Sequence, residues 1–166
     1  MVLTAFDQAW ALLKMPIVPN SFKEKIPLEY SAIFQDPVSN ELLDMQAKWV
    51  DTPEEWGSVY DASYPGEGGE IKAEIKHPAD DTYNLGDRAI AHIGQNENPE
   101  QFSAFGTGVD EEYQRRGYAT ALYDMLARIL HEQGNYKLTS SGPSGLNEMS
   151  RGLWGDKKTW PVRDDL

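Results

Sequence analysis

The chain has 166 residues, a formal net charge of −12 and no cysteine. Hydrophobic residues make up 40% of it and aromatic residues 11%, which excludes a disordered chain and predicts a single domain over residues 1–166. The lack of cysteine excludes disulfides and thiolate nucleophiles, and the acidic balance disfavours nucleic acid and anionic membranes as partners. With no leader sequence and no apolar run of about 20 residues, we expect a cytoplasmic protein.

The first 69 residues predict a short helix and a hairpin. A capping-box pattern at Thr4 to Asp7 and helically spaced apolar residues predict a helix that ends before Pro16. The segment Met15 to Pro27 holds three prolines and indicates a connection. Alternating apolar residues then predict two paired strands over 28–34 and 43–49, and the acidic segment 51–69 predicts a surface loop.

Further strands are predicted between residues 70 and 109. The sequence EIKAEIK at 70–76 alternates strictly, which is typical of a strand with one wet face. Shorter runs predict strands at 87–93 and 102–109, separated by a polar turn. Four or five antiparallel strands are therefore expected before the first long helix.

The last of these strands leads into a long amphipathic helix within VDEEYQRRGYATALYDMLARILHEQG, residues 109–134. Apolar residues recur there at the i, i+3, i+4, i+7 spacing of a helix that buries one face. These residues are Tyr118, Ala121, Leu122, Met125, Leu126, Ile129 and Leu130. Gly134 and Asn135 predict the end of the helix. A strand over 136–140 and a short helix over 146–154 are expected to follow.

The junction between strand and helix, residues 114–119, suits an anion. The first N–H groups of a helix have no partner inside it and carry the positive end of its dipole. Gly117 lets a ligand approach the backbone because it has no Cβ, and Arg115 and Arg116 add positive charge. The residues alone leave open the alternative of an ordinary strand-to-helix turn with solvated arginines.

The sequence QRRGYA at 114–119 matches the [QR]-x-x-G-x-[GA] signature of the GNAT acetyltransferase family, and VDEEYQRRGYATALY resembles that family's strand, loop and helix around acetyl-CoA. The resemblance implies an α+β fold with a mixed, mostly antiparallel sheet flanked by helices. It implies an acyl-CoA-binding core at about 70–154, preceded by the N-terminal helix and hairpin of residues 1–69. The implied reaction is direct attack of a primary amine, on a small molecule or a protein, on the acetyl group of acetyl-CoA.

The resemblance also implies where the cofactor lies. The strand ending at Val109 and the strand at 136–140 would splay apart and receive the pantetheine, and residues 114–120 would hold the pyrophosphate. The implied cofactor-binding residues are Val109, Gln114, Arg115, Arg116, Gly117, Tyr118, Ala119, Thr120 and Asn147.

The chain departs from the family pattern at its C-terminal end. Many members read N-x-x-A-x-x-[LF]-Y in the last helix, where the Tyr protonates the departing thiolate. Here the sequence is NEMSRGLW, so Asn147 and Leu153 fit but Trp154 replaces the Tyr. An indole N–H cannot act as an acid near neutral pH. Family members usually continue with a C-terminal β-hairpin, but only twelve residues follow Trp154 here. The N-terminal hairpins or a partner are candidates to occupy the place of that hairpin.

Candidate catalytic groups lie next to the implied cofactor site. Asp110 to Glu112 and His92 are candidate bases, and Tyr113 and Tyr123 are candidate acids. For Asp110 to Glu112 the alternative is a solvated acidic turn, and for His92 it is a hydrogen-bonded core residue. For the two tyrosines the alternative is a packing role. The three histidines show no zinc-binding spacing, so no metal site is expected.

A second hypothesis is a non-catalytic protein of the GNAT fold that binds a protein partner or serves in an assembly. It is motivated by Trp154, the short C-terminus and the five tryptophans. The sequences AFDQAWALLKMP and WPVRDDL resemble small proteins carried by tailed phages, which would imply host cytoplasm or virion, and a virion or anti-defence role. An acidic mimic of DNA is a third hypothesis, disfavoured because the acidic residues form scattered clusters. The sequence leaves open whether the chain forms a homo-oligomer.

Overall fold

The computed structural model describes residues 16–25, 29–50, 70–79, 87–95, 98, 100–140 and 148–166. The predicted N-terminal helix and the predicted loop over 51–69 lie outside these ranges, as does Asn147. No helix in the described ranges is long and apolar enough to cross a bilayer.

The described residues form one open, mixed sheet with helices packed against it, so the predicted α+β fold is confirmed. The strands lie in chain order, and each pairs with the next antiparallel except the last two, which are parallel. The strands are β1 (Lys23–Lys25), β2 (Glu29–Gln35), β3 (Leu42–Val50), β4 (Glu70–Lys76), β5 (Asp87–Gln95), β6 (Gln101–Val109) and β7 (Lys137–Ser140). The helices are α1 (Tyr118–Gly134) and α2 (Glu148–Trp154), with a 3₁₀ turn at Glu111–Tyr113.

Among the described residues, six strands precede α1, whereas the sequence predicted four or five. The additional strand is β1, which lies in the proline-rich connection and pairs Lys23 with Ser31 of β2. Pro19 precedes this three-residue strand instead of interrupting it, and proline is tolerated beside an edge strand. The predicted hairpin is present as β2 and β3.

The buried face of the sheet is shaped to receive α1. Every second residue of β4 is buried, as its alternating sequence predicts. Ala47, Ala73 and Ala91 pair side by side across β3, β4 and β5, so the middle of this face carries only methyl groups. Because no bulky side chain stands there, α1 can lie close to the sheet, and it packs across β4 to β7.

The predicted limits of α1 are confirmed. Gly117 precedes it with a left-handed backbone, at φ 84°. Asn135 follows it, also left-handed at φ 57°, and its N–H donates to the His131 carbonyl at 2.9 Å. The bond from Asn135 to His131 is the one expected of a helix that ends at a left-handed residue, and the N–H of Tyr136 also reaches back, to the Leu130 carbonyl at 3.1 Å.

β6 extends beyond its pairing with β7. Their parallel pairing joins Gln101 through Ala104 to Lys137 through Ser140, and β7 then ends. The pairing of β5 with β6 shifts by one residue between His92 and Ile93, which leaves Phe105 as the additional residue of a bulge. From there β6 continues to Val109, whereas the described residues of β7 end at Ser140. The predicted separation of these two strands concerns the segment after Ser140, and residues 141–147 lie outside the described ranges, so it stays a prediction.

Part of the twelve-residue tail after α2 lies along β7. Thr159 forms an antiparallel bridge with Thr139, and the N–H of Trp160 donates to the Leu138 carbonyl at 2.8 Å. The N-terminal hairpin lies at the opposite edge of the sheet, so it does not fill the place of the family's C-terminal hairpin. The chain's own tail occupies this edge.

The tail also explains a buried carboxylate on α1. Asp124 is only 5% exposed, and it accepts hydrogen bonds from the Trp160 indole at 2.9 Å and from Arg163 at 3.3 Å. The sequence pattern placed Asp124 outside the apolar stripe, because the pattern could not show that the tail covers a second side of the helix.

Candidate functional site

A cleft of about 590 Å³ lies where β6 leads into α1. Its walls are Val109, Tyr113, Gln114, Arg115, Gly117, Tyr118, Ala119, Thr120, Gly152 and Leu153. The structure thus brings together every predicted cofactor residue except Arg116, whose side chain points elsewhere, and Asn147, which lies outside the described ranges. Their roles toward a ligand stay predictions.

The start of α1 presents backbone N–H groups to this cleft. The first helical hydrogen bond runs from the Ala121 N–H to the Gly117 carbonyl at 3.0 Å. The N–H groups of Tyr118, Ala119 and Thr120 precede it and are therefore not used inside the helix. Gly117 has no side chain to cap them, so these N–H groups are available to a bound anion.

Gln114 and Arg115 shape the entrance to the helix. The Gln114 amide donates to the Val109 carbonyl at 3.1 Å, which ties the turn to the end of β6. Arg115 has a left-handed backbone, at φ 65°, and its exposed side chain lines the cleft. Arg115 is therefore positioned to add a positive charge beside the N–H groups.

Arg116 faces away from the cleft toward a buried carboxylate. Its guanidinium lies 3.2 Å from Oδ2 of Asp36, which has no exposed surface. The Tyr118 hydroxyl donates to the same oxygen at 2.5 Å. Burial alone would raise the pKa of Asp36, but the hydrogen bonds from Tyr118, the Ser39 and Val38 N–H groups and Arg116 lower it below its ordinary value. Asp36 is therefore ionised near neutral pH.

Arg88 extends this cluster under the turn. It lies 3.4 Å from the Tyr118 hydroxyl and 2.8 Å from Glu41, and its guanidinium stacks 4.4 Å from the centre of the Tyr113 ring. Burial alone would lower the pKa of Arg88, but its hydrogen bonds to Tyr118 and Glu41 raise it, so it stays charged.

Sequence reasoning missed Asp36, Glu41 and Arg88. Asp36 lies in the sequence QDPVSN, whose turn chemistry is confirmed because Oδ1 accepts the Val38 N–H at 2.7 Å. No signal in the sequence pairs Asp36 with Arg116, which lies 80 residues later.

The far wall of the cleft comes from α2 through Gly152 and Leu153. The next residue, Trp154, is 1% exposed and does not line the cleft. Its ring packs edge-on against Tyr123 and Trp160, with centroids 5.5 and 5.2 Å away. Trp154 therefore anchors α2 to α1 and the tail, and it offers no acid to the cleft.

Tyr123 points toward the part of β6 that follows its pairing with β7. Its hydroxyl lies 2.5 Å from Oγ1 of Thr107, and the side chain is 1% exposed. Tyr113, by contrast, lines the cleft. A hydrogen bond with Glu112 and then burial raise the pKa of Tyr113.

The candidate bases lie outside the cleft lining. Asp110 to Glu112 are exposed in the turn directly after Val109. His92 is half-buried on β5, opposite Gly106 of β6, and alternates with the buried residues that face α1. Burial, and then the charge of Lys72, lower the pKa of His92 from 6.5 to about 4. His92 is therefore neutral near neutral pH and a weak base.

We expect His92 to make the protein less stable in mild acid. An unfolded chain protonates His92 as the pH falls through 6.5, whereas the folded chain protonates it only near 4. The free energy of unfolding is thus unaffected above pH 6.5. Between pH 6.5 and pH 4 it falls by about 1–2 kcal/mol, after allowance for solvent screening. Urea unfolding at pH 7.5 and 4.5 would measure this, and His92→Gln should reduce the loss by that amount. An equal loss in both proteins would contradict the expectation.

Within the described parts of the chain, no three His, Asp or Glu residues are grouped as metal ligands.

The family model of the Acetyltransferase (GNAT) family matches residues 43–155. The match covers β3 from Leu43 onward and all of β4 through α2, including the cleft. The chain therefore belongs to the GNAT family of acyl-CoA N-acyltransferases. No curated protein and no solved structure gives a significant match.

Proposed function

We propose that this protein transfers an acetyl group from acetyl-CoA to a primary amine. The observation that carries the proposal is the cleft, where free helix N–H groups, Gly117 and Arg115 meet at the end of β6. Family membership supports acyl-CoA as the donor class. The particular acyl group and the acceptor are our inference.

The residues present fit acetyl-CoA. The N–H groups of residues 118–120 and the Arg115 side chain would hold the pyrophosphate, and the backbone of β6 before Val109 would hold the pantetheine. Gly117 lines the cleft with backbone alone, so a ligand can approach the chain closely there. The bound cofactor supplies a thioester whose acetyl group an unprotonated amine takes up, with release of coenzyme A as a thiol.

The chain's acidic residues suit an amine acceptor. Asp110 to Glu112 follow Val109 at the edge of the cleft and are exposed, so they can attract an ammonium group and accept its proton. The net charge of −12 favours the approach of a cation. Tyr113 lines the cleft, so it is better placed than the buried Tyr123 to give a proton there.

The test is acetyl-CoA turnover with a panel of primary amines. The panel holds polyamines, amino sugars and lysine-containing peptides, with release of free thiol and product mass as readouts. We expect an amine-dependent release of thiol matched by a gain of one acetyl group in the product. A folded protein that binds acetyl-CoA but acetylates no amine in the panel would count against the proposed reaction.

We expect Arg115→Gln to weaken acetyl-CoA binding about three- to tenfold, because a partly exposed charge beside a phosphate contributes about 1 kcal/mol. The loss should shrink at high salt, which screens the charge. Calorimetric titration at low and high salt would measure it. Lys23→Gln removes the same charge at the opposite edge of the sheet and should leave the affinity unchanged. Equal effects of the two changes would contradict a local role for Arg115.

A second candidate function is favoured by Trp154, which replaces the family's acid and is fully packed. In this alternative the protein binds a protein partner or a second copy of itself without catalysis, in a host cell or a phage particle. Trp154 and Trp160 are buried, so they add nothing to an exposed partner surface. A native mass of one chain, together with acetyl transfer, would exclude this alternative.

A further inference from the structure

We propose that Asp36 is a positioning residue that holds the cleft turn, Gln114 to Tyr118, in the shape that binds an anion. The inference rests on the proposed function. Asp36 lies in the turn between β2 and β3 and therefore precedes the family match at residues 43–155. A segment in front of the matched region thus completes the site.

The cleft turn needs outside support. Arg115 and Gly117 both have left-handed backbones, at φ 65° and 84°. A residue with a side chain adopts this conformation only when its surroundings hold it. Arg116 and Tyr118 alternate with these two residues, and both contact Oδ2 of Asp36, at 3.2 and 2.5 Å. One carboxylate oxygen therefore fixes the turn on both sides of Gly117.

Asp36 is itself held in place by backbone groups. Its Oδ1 accepts the N–H groups of Val38 at 2.7 Å and Ser39 at 3.1 Å. Its own N–H donates to the Glu41 carbonyl at 3.0 Å, and its carbonyl accepts the Asn40 N–H at 2.9 Å. Both carboxylate oxygens are thus engaged, so the side chain cannot rotate without breaking several hydrogen bonds.

The same hairpin turn reaches the cleft by a second route. Glu41 pairs with Arg88, whose guanidinium also contacts the Tyr118 hydroxyl. The positive charges of Arg88 and Arg116 in this cluster are offset by the negative charges of Glu41 and Asp36. Asp36 in particular neutralises the charge of Arg116. The positive charge presented to the cleft therefore comes from Arg115 and the helix N–H groups.

The decisive experiment compares Asp36→Asn with Asp44→Asn. Both remove one negative charge from the same hairpin, but Asp44 lies on β3 outside these contacts. Asp36→Asn puts an amide N–H against the Arg116 and Tyr118 donors, so the turn should loosen and acetyl-CoA affinity should fall about tenfold or more. Hydrogen exchange without ligand should become faster at residues 114–121. Asp44→Asn should change neither readout.

A coupling measurement separates positioning from a general loss of structure. Asp36→Asn added to the double variant Arg116→Met and Tyr118→Phe should weaken binding no further, because the partners it acts through are gone. If Asp36→Asn does not fold, Tyr118→Phe removes one of the two contacts and should still speed exchange in the turn.

Unchanged acetyl-CoA affinity in folded Asp36→Asn would overturn the inference. If the wild type binds no acetyl-CoA, the proposed function fails, and hydrogen exchange alone then decides the inference. Faster exchange at residues 114–121 in Asp36→Asn would support it, and unchanged exchange there would overturn it.

Discussion

Gly117→Glu should abolish detectable acetyl-CoA binding, a loss of more than about 100-fold. The substitution adds bulk and a negative charge at the residue directly before the N–H groups of residues 118–120, where the pyrophosphate is expected to lie. A charge pair about 4 Å apart near a protein surface is worth about 4 kcal/mol, which is ample for this loss. Calorimetric titration measures the effect.

The variant should stay folded, with a modest loss of stability. A Cβ at residue 117 would lie 3.5 Å from Cγ of Pro16, which is an ordinary contact. The left-handed backbone, φ 84°, costs a residue with a side chain about 1–2 kcal/mol.

Two matched controls separate the causes. Gly117→Gln carries the same bulk and strain without the charge, and Gly117→Asn carries a residue that tolerates the left-handed backbone. The affinity for acetyl-CoA should be highest with Gly at residue 117 and should fall progressively with Asn, Gln and Glu there. Wild-type affinity in folded Gly117→Glu would remove residue 117 from the cofactor site.

Trp154→Ala should lower the free energy of unfolding by about 3–5 kcal/mol. Trp154 is 1% exposed and packs edge-on against Tyr123 and Trp160, so its removal leaves a cavity between α1, α2 and the tail. Urea unfolding of the variant and the wild type measures the loss.

Trp154→Phe is the control and should cost about 1–2 kcal/mol. It keeps an aromatic ring against Tyr123, and no hydrogen bond is lost, since the Trp154 Nε1 has no partner among the described residues. If Trp154→Ala costs less than about 1 kcal/mol, Trp154 does not anchor α2, and a direct role in the cleft would have to be reconsidered.

Much of the fold could be predicted from hydrophobic periodicity. β4 alternates strictly, and the apolar stripe and the Gly134–Asn135 end of α1 identify the helix. β1 could not be predicted, because three residues are too few to show a period and prolines surround them. The packing of the tail depends on tertiary contacts alone, so the burial of Asp124 was also out of reach.

The cleft could be predicted because residues 109–120 are contiguous and carry a family signature. The contacts that support the cleft turn could not be predicted, since Asp36 and Arg116 are 80 residues apart in the sequence and Arg88 and Tyr118 are 30 apart. Nor could the orientation of Arg116 be read from its charge, because either a phosphate or a buried carboxylate satisfies a guanidinium. The catalytic assignments to His92, Asp110 and Glu112 stay predictions.

Calorimetric titration of the wild-type protein with acetyl-CoA tests the central claim most directly, with coenzyme A as a second ligand and Gly117→Glu as the control. We predict micromolar binding of both ligands to the wild type and no binding to the variant. A folded wild type that binds neither ligand would contradict a working cofactor site at the start of α1.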